Sequence, residues 1–386
     1  MTKKRSHGEG TIDTRRENIH RLRYRVNGRR FSKEFHGSLS DARKEQRRLI
    51  QSGDSGQHIP PQKLTVSHWV NEWLALKEAK RRRKTVLRYR ELLEKYVVTR
   101  LGARPLQQLE PREINSLYVQ LERLAPRTRH HIHVVFKGCL QAAVKNKLLS
   151  SNPAASADPP SAGDQEAGRV LDEDELAAVV NGFRGSTLYE IVCVAAFTGM
   201  RRGEVLGLRW SDFNERDKTL RIERALEYTR RHGLEIKPPK TKRGIRTIVI
   251  DDSLVQLLLS HRERYQRLVA GIPDGSPVDL SLVRLPDDAF IFPAPDGSLN
   301  TPRHPDAVTK QFMQRAAKLG FAGLRFHDLR GTHETLLLDR GTPIHTVAKR
   351  CGHDPAVLLR VYAKRTHKSD EQAAAVIGEL AKGILG

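Results

Sequence analysis

Residues 151–168, SNPAASADPPSAGDQEAG, limit what this chain can fold into more than any other stretch. They are small, polar and proline-bearing, so they suit a connection and not a core. The 386 residues therefore divide there, and a second stretch of the same kind, QSGDSGQHIPP at 51–61, divides the first part again. Three units are expected, 1–55, 62–150 and 169–386, and the chain is long enough for ample cores. The fold class expected is multidomain α+β. It comprises a small N-terminal β-sheet plus a helix, a helical bundle, and a mainly α third unit with a small antiparallel sheet.

The first 50 residues carry 15 Lys and Arg against six Asp and Glu. Arg21 to Val26 alternates with strand period, Asn27-Gly28 supplies a type I′ turn, and Arg29 to Phe35 returns. Leu22, Tyr24 and Val26 then face one way and Arg21, Arg23 and Arg25 the other. A sheet lined with arginine can enter a DNA major groove, the plainer alternative being a solvated face. Ser40 reads as the N-cap of a helix to about Ile50. Residues 62–150 read as all helix, with Val66, Trp69, Val70, Trp73 and Leu74 as one apolar stripe. Further helices are expected over 84–98, 111–124 and 127–147. Arg81 to Lys84 and Arg127 to His130 offer basic surface for phosphates. His130, His131 and His133 crowd together, but adjacent helical residues point different ways, which disfavours a shared metal.

The third unit opens with a helix from Asp172 to Val180 whose first turn is acidic. Leu188 to Phe197 is nearly all apolar and predicts a buried helix. It ends at Thr198-Gly199-Met200-Arg201, which projects Arg201 from a rigid element. Strands are expected over Leu220–Glu227, Leu234–Lys237 and Arg246–Ile250, with Lys240, Lys242 and Arg243 in or beside the second hairpin. Farther on, His327 and Arg330 stand three apart, which places them on one helical face. That helix runs to Arg340 and stops at Gly341. Thr342-Pro343 opens the next helix, Gly352 closes it, and Asp354-Pro355 opens a third. His353 falls in the tight turn and Tyr362 about two turns beyond, so a basic face, a histidine and a tyrosine can converge on one point. Taken singly, each has a plain reading: a solvated charge, a satisfied turn residue, a core aromatic.

Lys and Arg total 68 against 45 Asp and Glu, a formal net charge of +23. Such a surplus predicts a polyanionic partner, with nucleic acid the leading candidate. No apolar run approaches the roughly 18–20 residues of a membrane span. The start, MTKKRSHGEGTIDTRR, has no apolar segment of a secretory signal. Cys139, Cys193 and Cys351 are scattered singly, which fits a reducing cytosol and excludes a CxxC-type zinc site. No GxxxxGK[ST] loop occurs, so nothing points to ATP. A cytoplasmic, nucleoid-associated protein is expected.

TGMRRGEVLGLRWSDF, PPKTKRGIRTIVI, HDLRGTH and CGHDPAVLLRVYAK resemble, in order, the boxes of the tyrosine recombinases, the phage-integrase family. The resemblance spans about 169–370. The upstream units are similar in layout to the arm-type (1–55) and core-type (62–150) DNA-binding domains of integrases from phages and integrative elements. Position by position, the resemblance implies Arg201 as the first arginine and Lys240 as the lysine, with Lys242 the close alternative. It implies His327 and Arg330 as the HxxR pair, His353 as the following histidine and Tyr362 as the nucleophile. Cys351, where leucine is frequent, and Gly331, where histidine is frequent, are small departures outside these roles.

The implied reaction is DNA strand cleavage and rejoining through a 3′-phosphotyrosine, with no cofactor and no metal. Such a site must place a phosphodiester and stabilise charge on its non-bridging oxygens, which two planar guanidinium forks suit. His353 adds a hydrogen bond, His327 exchanges the tyrosine proton, and Lys240 protonates the leaving 5′ oxygen. The implied partners are double-stranded DNA attachment sites, three further copies in a homotetramer on paired sites, and DNA-bending and directionality proteins. The amphipathic stretch Asp370 to Leu385 docks either on a neighbouring subunit or on its own domain. Two other readings share the residues: a type IB topoisomerase, against which the extra basic units argue, and a DNA-binding regulator with a decayed catalytic domain, against which the complete set of six argues.

Overall fold

The structure is a computed structural model that describes all residues except 1–9, 27, 55–58, 61, 164–167, 240–241, 363–373, 375–376, 379–380 and 383–386. The alternating N-terminal segment forms an antiparallel sheet of β1 (Thr11–Arg16), β2 (Ile19–Val26) and β3 (Arg29–His36), in that order. Val26 pairs with Arg29, so the reversal lies where Asn27-Gly28 predicts it, although Asn27 is outside the described residues. The alternation sorts the side chains as expected: Leu22, Tyr24 and Val26 are buried, while Arg23 and Arg25 are exposed. Helix α1 (Leu39–Asp54) covers the apolar face, and its Gln46 amide donates to the Thr11 and Arg23 carbonyls at 3.2 and 2.9 Å. The cap of α1 is Ser38, not Ser40. Ser38 Oγ accepts from the Asp41 amide at 3.2 Å and donates to the Asp41 carboxylate at 2.7 Å, so the acid three residues on fixes the capping hydroxyl.

The helical segment contains α2 (Val66–Glu78), α3 (Arg83–Leu92), a π-helical turn (Leu93–Val98), α4 (Thr99–Leu101), α5 (Pro111–Gln120) and α6 (Pro126–Lys145). The wide turn keeps Leu92, Leu93, Val97 and Leu101 all inside. Trp69, from the predicted stripe, donates to the Cys139 carbonyl at 3.0 Å across the core. The histidine trio has structural partners: His133 meets the Tyr118 hydroxyl at 2.7 Å, and His130 the Pro160 carbonyl at 3.0 Å. Among the described residues no group of three ligands is placed to hold a metal, and no helix is long and apolar enough to cross a membrane.

The chain falls into two compact units, Met1–Gln165 and Glu166–Gly386, the break lying inside the 151–168 stretch. The second unit begins with α7 (Glu173–Gly182), capped by Asp172, then α8 (Tyr189–Thr198) and the short α9 (Arg202–Val205). Helix α8 is buried almost throughout, as its apolar sequence demands. Strands β4 (Phe213–Asn214), β5 (Thr219–Ile222) and β8 (Arg246–Val249) make one sheet in the order β4-β5-β8, while β6 (Ala225–Thr229) and β7 (Gly233–Lys237) make a separate hairpin. The single strand expected over Leu220–Glu227 is thus two strands. Between them the Arg224 guanidinium pairs with Asp212 and Glu223, and the chain changes sheets without breaking its alternation.

Helices α10 (Asp252–Ala270), α11 (Pro305–Lys318), α12 (Asp328–Asp339), α13 (Ile344–Cys351) and α14 (Pro355–Tyr362) complete the unit. Helix α13 starts one residue later than expected, with Pro343 as its cap, because the Pro343 carbonyl accepts the first helical bonds, from the Thr346 and Val347 amides at 2.9 and 3.1 Å. The Asp370–Leu385 stretch lies mostly outside the described residues. Phe312 sits at the centre of the core, stacked on Phe183 (centroids 5.2 Å apart) and edge-on to Phe326 (5.4 Å). Phe312→Ala is expected to destabilise this unit by about 3–5 kcal/mol, read as a lower denaturant midpoint.

Candidate active site

The site is assembled by the ends of α8, α12 and α13. Helix α8 ends at Gly199 (φ +65°), where a Cβ would stand 2.6 Å from the His333 ring and 2.9 Å from the Cys351 sulfur. Only glycine allows both this conformation and this approach. The Gly199 carbonyl accepts from Arg330 Nη1 at 2.7 Å, and Arg330 Nη2 donates to the Cys351 carbonyl at 2.7 Å. Arg201, two residues past Gly199, is the N-cap of α9; its Nη2 donates to the Gly352 carbonyl at 3.2 Å. The two arginines therefore grip adjacent carbonyls of one turn. Gly352 (φ +65°) forms that turn, and a Cβ on it would meet the Arg243 carbonyl at 2.9 Å. His353 comes next in the chain, so Arg201, Arg330 and His353 are brought together by hydrogen bonds from the two guanidinium groups to backbone carbonyls.

Two buried carboxylates that sequence reasoning passed over hold this arrangement. Glu204 lies 2.7 Å from Arg201 Nη1 and 3.0 Å from Arg246 Nη2. Burial pushes its carboxyl up, but Arg246 and Arg201 outweigh that and hold it below the usual range. Glu334, one turn after Arg330 on α12, has Oε1 3.0 Å from Arg330 Nε and 3.0 Å from His353 Nε2. Both approaches are too oblique to count as hydrogen bonds, leaving Glu334 Oε1 and Arg330 Nε buried with electrostatic contacts only. The spacings were legible signals: Glu204 is i+3 from Arg201, and Glu334 is i+4 from Arg330.

Arg330 is 2 % exposed. Burial draws its pKa down, opposed first by Glu334, yet a guanidinium starts high enough to stay charged. Of its five N–H groups, two serve carbonyls and one faces Glu334, which leaves two for a ligand. His327, the residue before α12, keeps an exposed surface, but its inner side is crowded. Desolvation there, followed by the Arg330 charge, lowers its pKa below the ordinary histidine value, despite Glu334 and Asp328. The lowering favours the neutral ring, which has a lone pair with which to accept a proton. His333 is a strut. Burial, then Arg350, pushes its pKa down to about 4, and the neutral ring donates from Nδ1 to the Ala196 carbonyl and accepts from Arg350 at Nε2.

Tyr362 does not join this cluster. Its hydroxyl donates to Asp339 Oδ1 at 2.9 Å. Asp339 ends α12, nine residues beyond Arg330, which is roughly 14 Å along the helix axis. Burial, then the hydrogen bond and charge of Asp339, raise the phenol pKa and keep it protonated. The expected convergence on one point therefore holds for Arg201, His327, Arg330 and His353 but not for the tyrosine. Lys240 lies outside the described residues, as does the side chain of Lys242. Arg243, next in the chain, pairs with Asp354 beside His353.

Residues 169–369 match the phage integrase family, and residues 66–159 match the phage integrase central domain. A tyrosine recombinase XerC-like protein of Caldanaerobacter subterraneus subsp. tengcongensis is 25% identical over 377 residues, covering 92% of this chain and 93% of its own. An integrase of Streptomyces ambofaciens is 24% identical over 401 residues and covers 99% of both. Among solved structures, the Tn1549 transposon integrase with transposon right-end DNA superposes with a TM-score of 0.66 at 18% identity, covering 82% of this chain and 100% of that one. A lambda integrase dimer on a core site gives 0.57 at 18% identity over 95% and 98%. The fold is shared with these structures, and the family match spans more than half of the residues, including all four of the clustered side chains. The chain belongs to the phage integrase family of tyrosine recombinases.

Proposed function

We propose that this protein is a site-specific DNA recombinase that integrates or excises a mobile element through a 3′-phosphotyrosyl intermediate. The observation that carries the reading is the turn at Cys351–Gly352, whose adjacent carbonyls are held by Arg330 and Arg201 beside His353. The two guanidinium groups bind the non-bridging oxygens of one phosphodiester, and His353 adds a third donor. His327 takes the proton of Tyr362 as its oxygen bonds to phosphorus. The bond to the 5′ oxygen breaks, and Lys240 (or Lys242) supplies the proton that makes a 5′ hydroxyl. Attack by a 5′ hydroxyl of another strand reverses these transfers and frees the tyrosine, so no external energy source is consumed. The link from Arg243 to Asp354 supports a lysine acting at this turn.

Tyr362 must leave Asp339 before it can attack, and the fraction of protein in which it has done so scales the rate. A hydrogen bond of this kind contributes about 0.5–1.5 kcal/mol. Asp339→Ala is therefore expected to speed covalent attachment roughly two- to tenfold; an unchanged or slower rate would mean that the contact does not restrain the tyrosine.

The upstream residues provide the contacts that choose the DNA. Residues 1–55 read as an arm-site binder through the exposed Arg23 and Arg25 face, where Asp13 pairs with Arg23 at 2.9 Å. Residues 62–150 read as the core-site binder and 169–386 as the catalytic domain. A lambda integrase tetramer on a Holliday junction shares this fold (TM-score 0.55, 17% identity, covering 92% of this chain and 96% of that one), which supports a homotetramer on paired attachment sites here. DNA-bending and directionality proteins fit the same scheme, as does a cytoplasmic setting on the nucleoid. The test is a nicked, end-labelled duplex carrying the ends of the mobile element, run on denaturing gels after incubation with protein. A covalent adduct at a unique position supports the reading, and binding without an adduct at mapped ends overturns it.

A further inference from the structure

Glu334 is the buried acid that the mechanism above does not use. It is 5 % exposed, on the same face of α12 as Arg330, and its Oε1 stands 3.0 Å from both Arg330 Nε and His353 Nε2. The Cys351 thiol is a further partner. Burial alone would push this carboxyl up, but His353 and Arg330 outweigh it, so the group is a carboxylate.

A carboxylate oxygen 3.0 Å from an imidazole nitrogen favours the ring position that turns N–H rather than a lone pair toward it, even where the approach is too oblique for a hydrogen bond. Glu334 thereby biases the orientation of the His353 ring. The histidine side chain keeps a quarter of its surface open, and its remaining edge is available to a ligand. The same oxygen faces Arg330 Nε, so the guanidinium is held on three sides: by Gly199, by Cys351 and by Glu334. Its two uncommitted N–H groups then have a set direction.

We propose that Glu334 is a positioning residue that sets the orientation of His353 and the plane of Arg330, so that both address the same phosphate. This rests on the assignment of the cluster as the recombinase active site. The bland alternative is a fold-stabilising ion pair, and the two make different predictions.

The experiment is a double-mutant cycle on single-turnover adduct formation at saturating nicked DNA, with DNA affinity and melting temperature measured alongside. Glu334→Gln keeps volume and an acceptor oxygen but removes the charge. It is expected to lower the first-order rate by about tenfold or more, against ~10²–10³ for loss of a donor itself, with affinity unchanged. Glu334→Asp, which retains the charge, is expected to recover part of that rate. Combined with His353→Ala, Glu334→Gln should cost less than it does alone, because one of the two groups it positions is gone and only its hold on Arg330 is left to lose. A wild-type rate in Glu334→Gln overturns the proposal, as does a loss that multiplies fully with that of His353→Ala. If Glu334→Gln unfolds, the cycle run with Glu334→Asp decides by the same criterion. A wild-type rate in His353→Ala would instead overturn the assignment of the site, and this inference with it.

Discussion

Tyr362→Phe is expected to bind attachment-site DNA as the natural chain does and to form no covalent adduct at all. The substitution removes one oxygen. In the free protein that oxygen touches Asp339 on a part-exposed surface, so its loss leaves the fold intact and costs at most about 1.5 kcal/mol. In the proposed reaction the same oxygen is the atom that bonds to phosphorus, and phenylalanine has no substitute for it. Binding and chemistry therefore separate completely, with a full mobility shift on native gels and no adduct on denaturing gels. Retained adduct formation would transfer the nucleophile to another hydroxyl. The parked position of Tyr362 in the free protein sharpens the test, because the distance to the arginine pair shows that attack requires movement of α14 or of its surroundings. A melting temperature unchanged by the substitution would confirm that the lost activity is chemical and not structural.

Arg201→Ala and Arg330→Ala are each expected to lower the cleavage rate by at least ~10²–10³, the usual consequence of removing a donor that stabilises transition-state charge. Their effects on stability should differ. Arg201 is exposed over 38 % of its side chain and shares Glu204 with Arg246, so its loss leaves Glu204 paired and the fold little changed. Arg330 is buried, and removing it strands the Gly199 and Cys351 carbonyls and leaves Glu334 to His353 alone, which costs about 3–5 kcal/mol. Arg330→Lys should not rescue either property, since an ammonium cannot span two carbonyls and a phosphate with a planar fork. Single-turnover rates paired with chemical denaturation check both statements. A near-normal rate in Arg201→Ala would move the phosphate clamp elsewhere.

Much of this molecule was legible in local sequence. The Arg21–Phe35 hairpin, the apolar stripe of α2, the buried α8 and the three successive C-terminal helices all follow from periodicity and from turn residues a few positions apart. The misreadings are local as well, and each has a competing bond behind it. Ser38 outranked Ser40 because both the amide and the carboxylate of Asp41 bind its hydroxyl. The Pro343 carbonyl, and not that of Thr342, took the first bonds of α13. Leu220–Glu227 divided because Arg224 found Asp212 twelve residues back.

The sequence by itself, through the boxes that resemble those of the phage integrases, singled out Arg201, His327, Arg330, His353 and Tyr362 as candidates for the proposed chemistry. It also determined the short-range frames, such as His327 and Arg330 on one helical face. Only the tertiary structure decided which of these groups meet. Arg330 reaches Gly199 across 131 residues and Arg201 reaches Gly352 across 151, and no periodic signal spans such separations. It also assigned Glu204 and Glu334 as the counter-charges and left Tyr362 on Asp339. The physical reason is that buried charges are tolerated only where partners surround them, and those partners are supplied by packing between helices far apart in the chain.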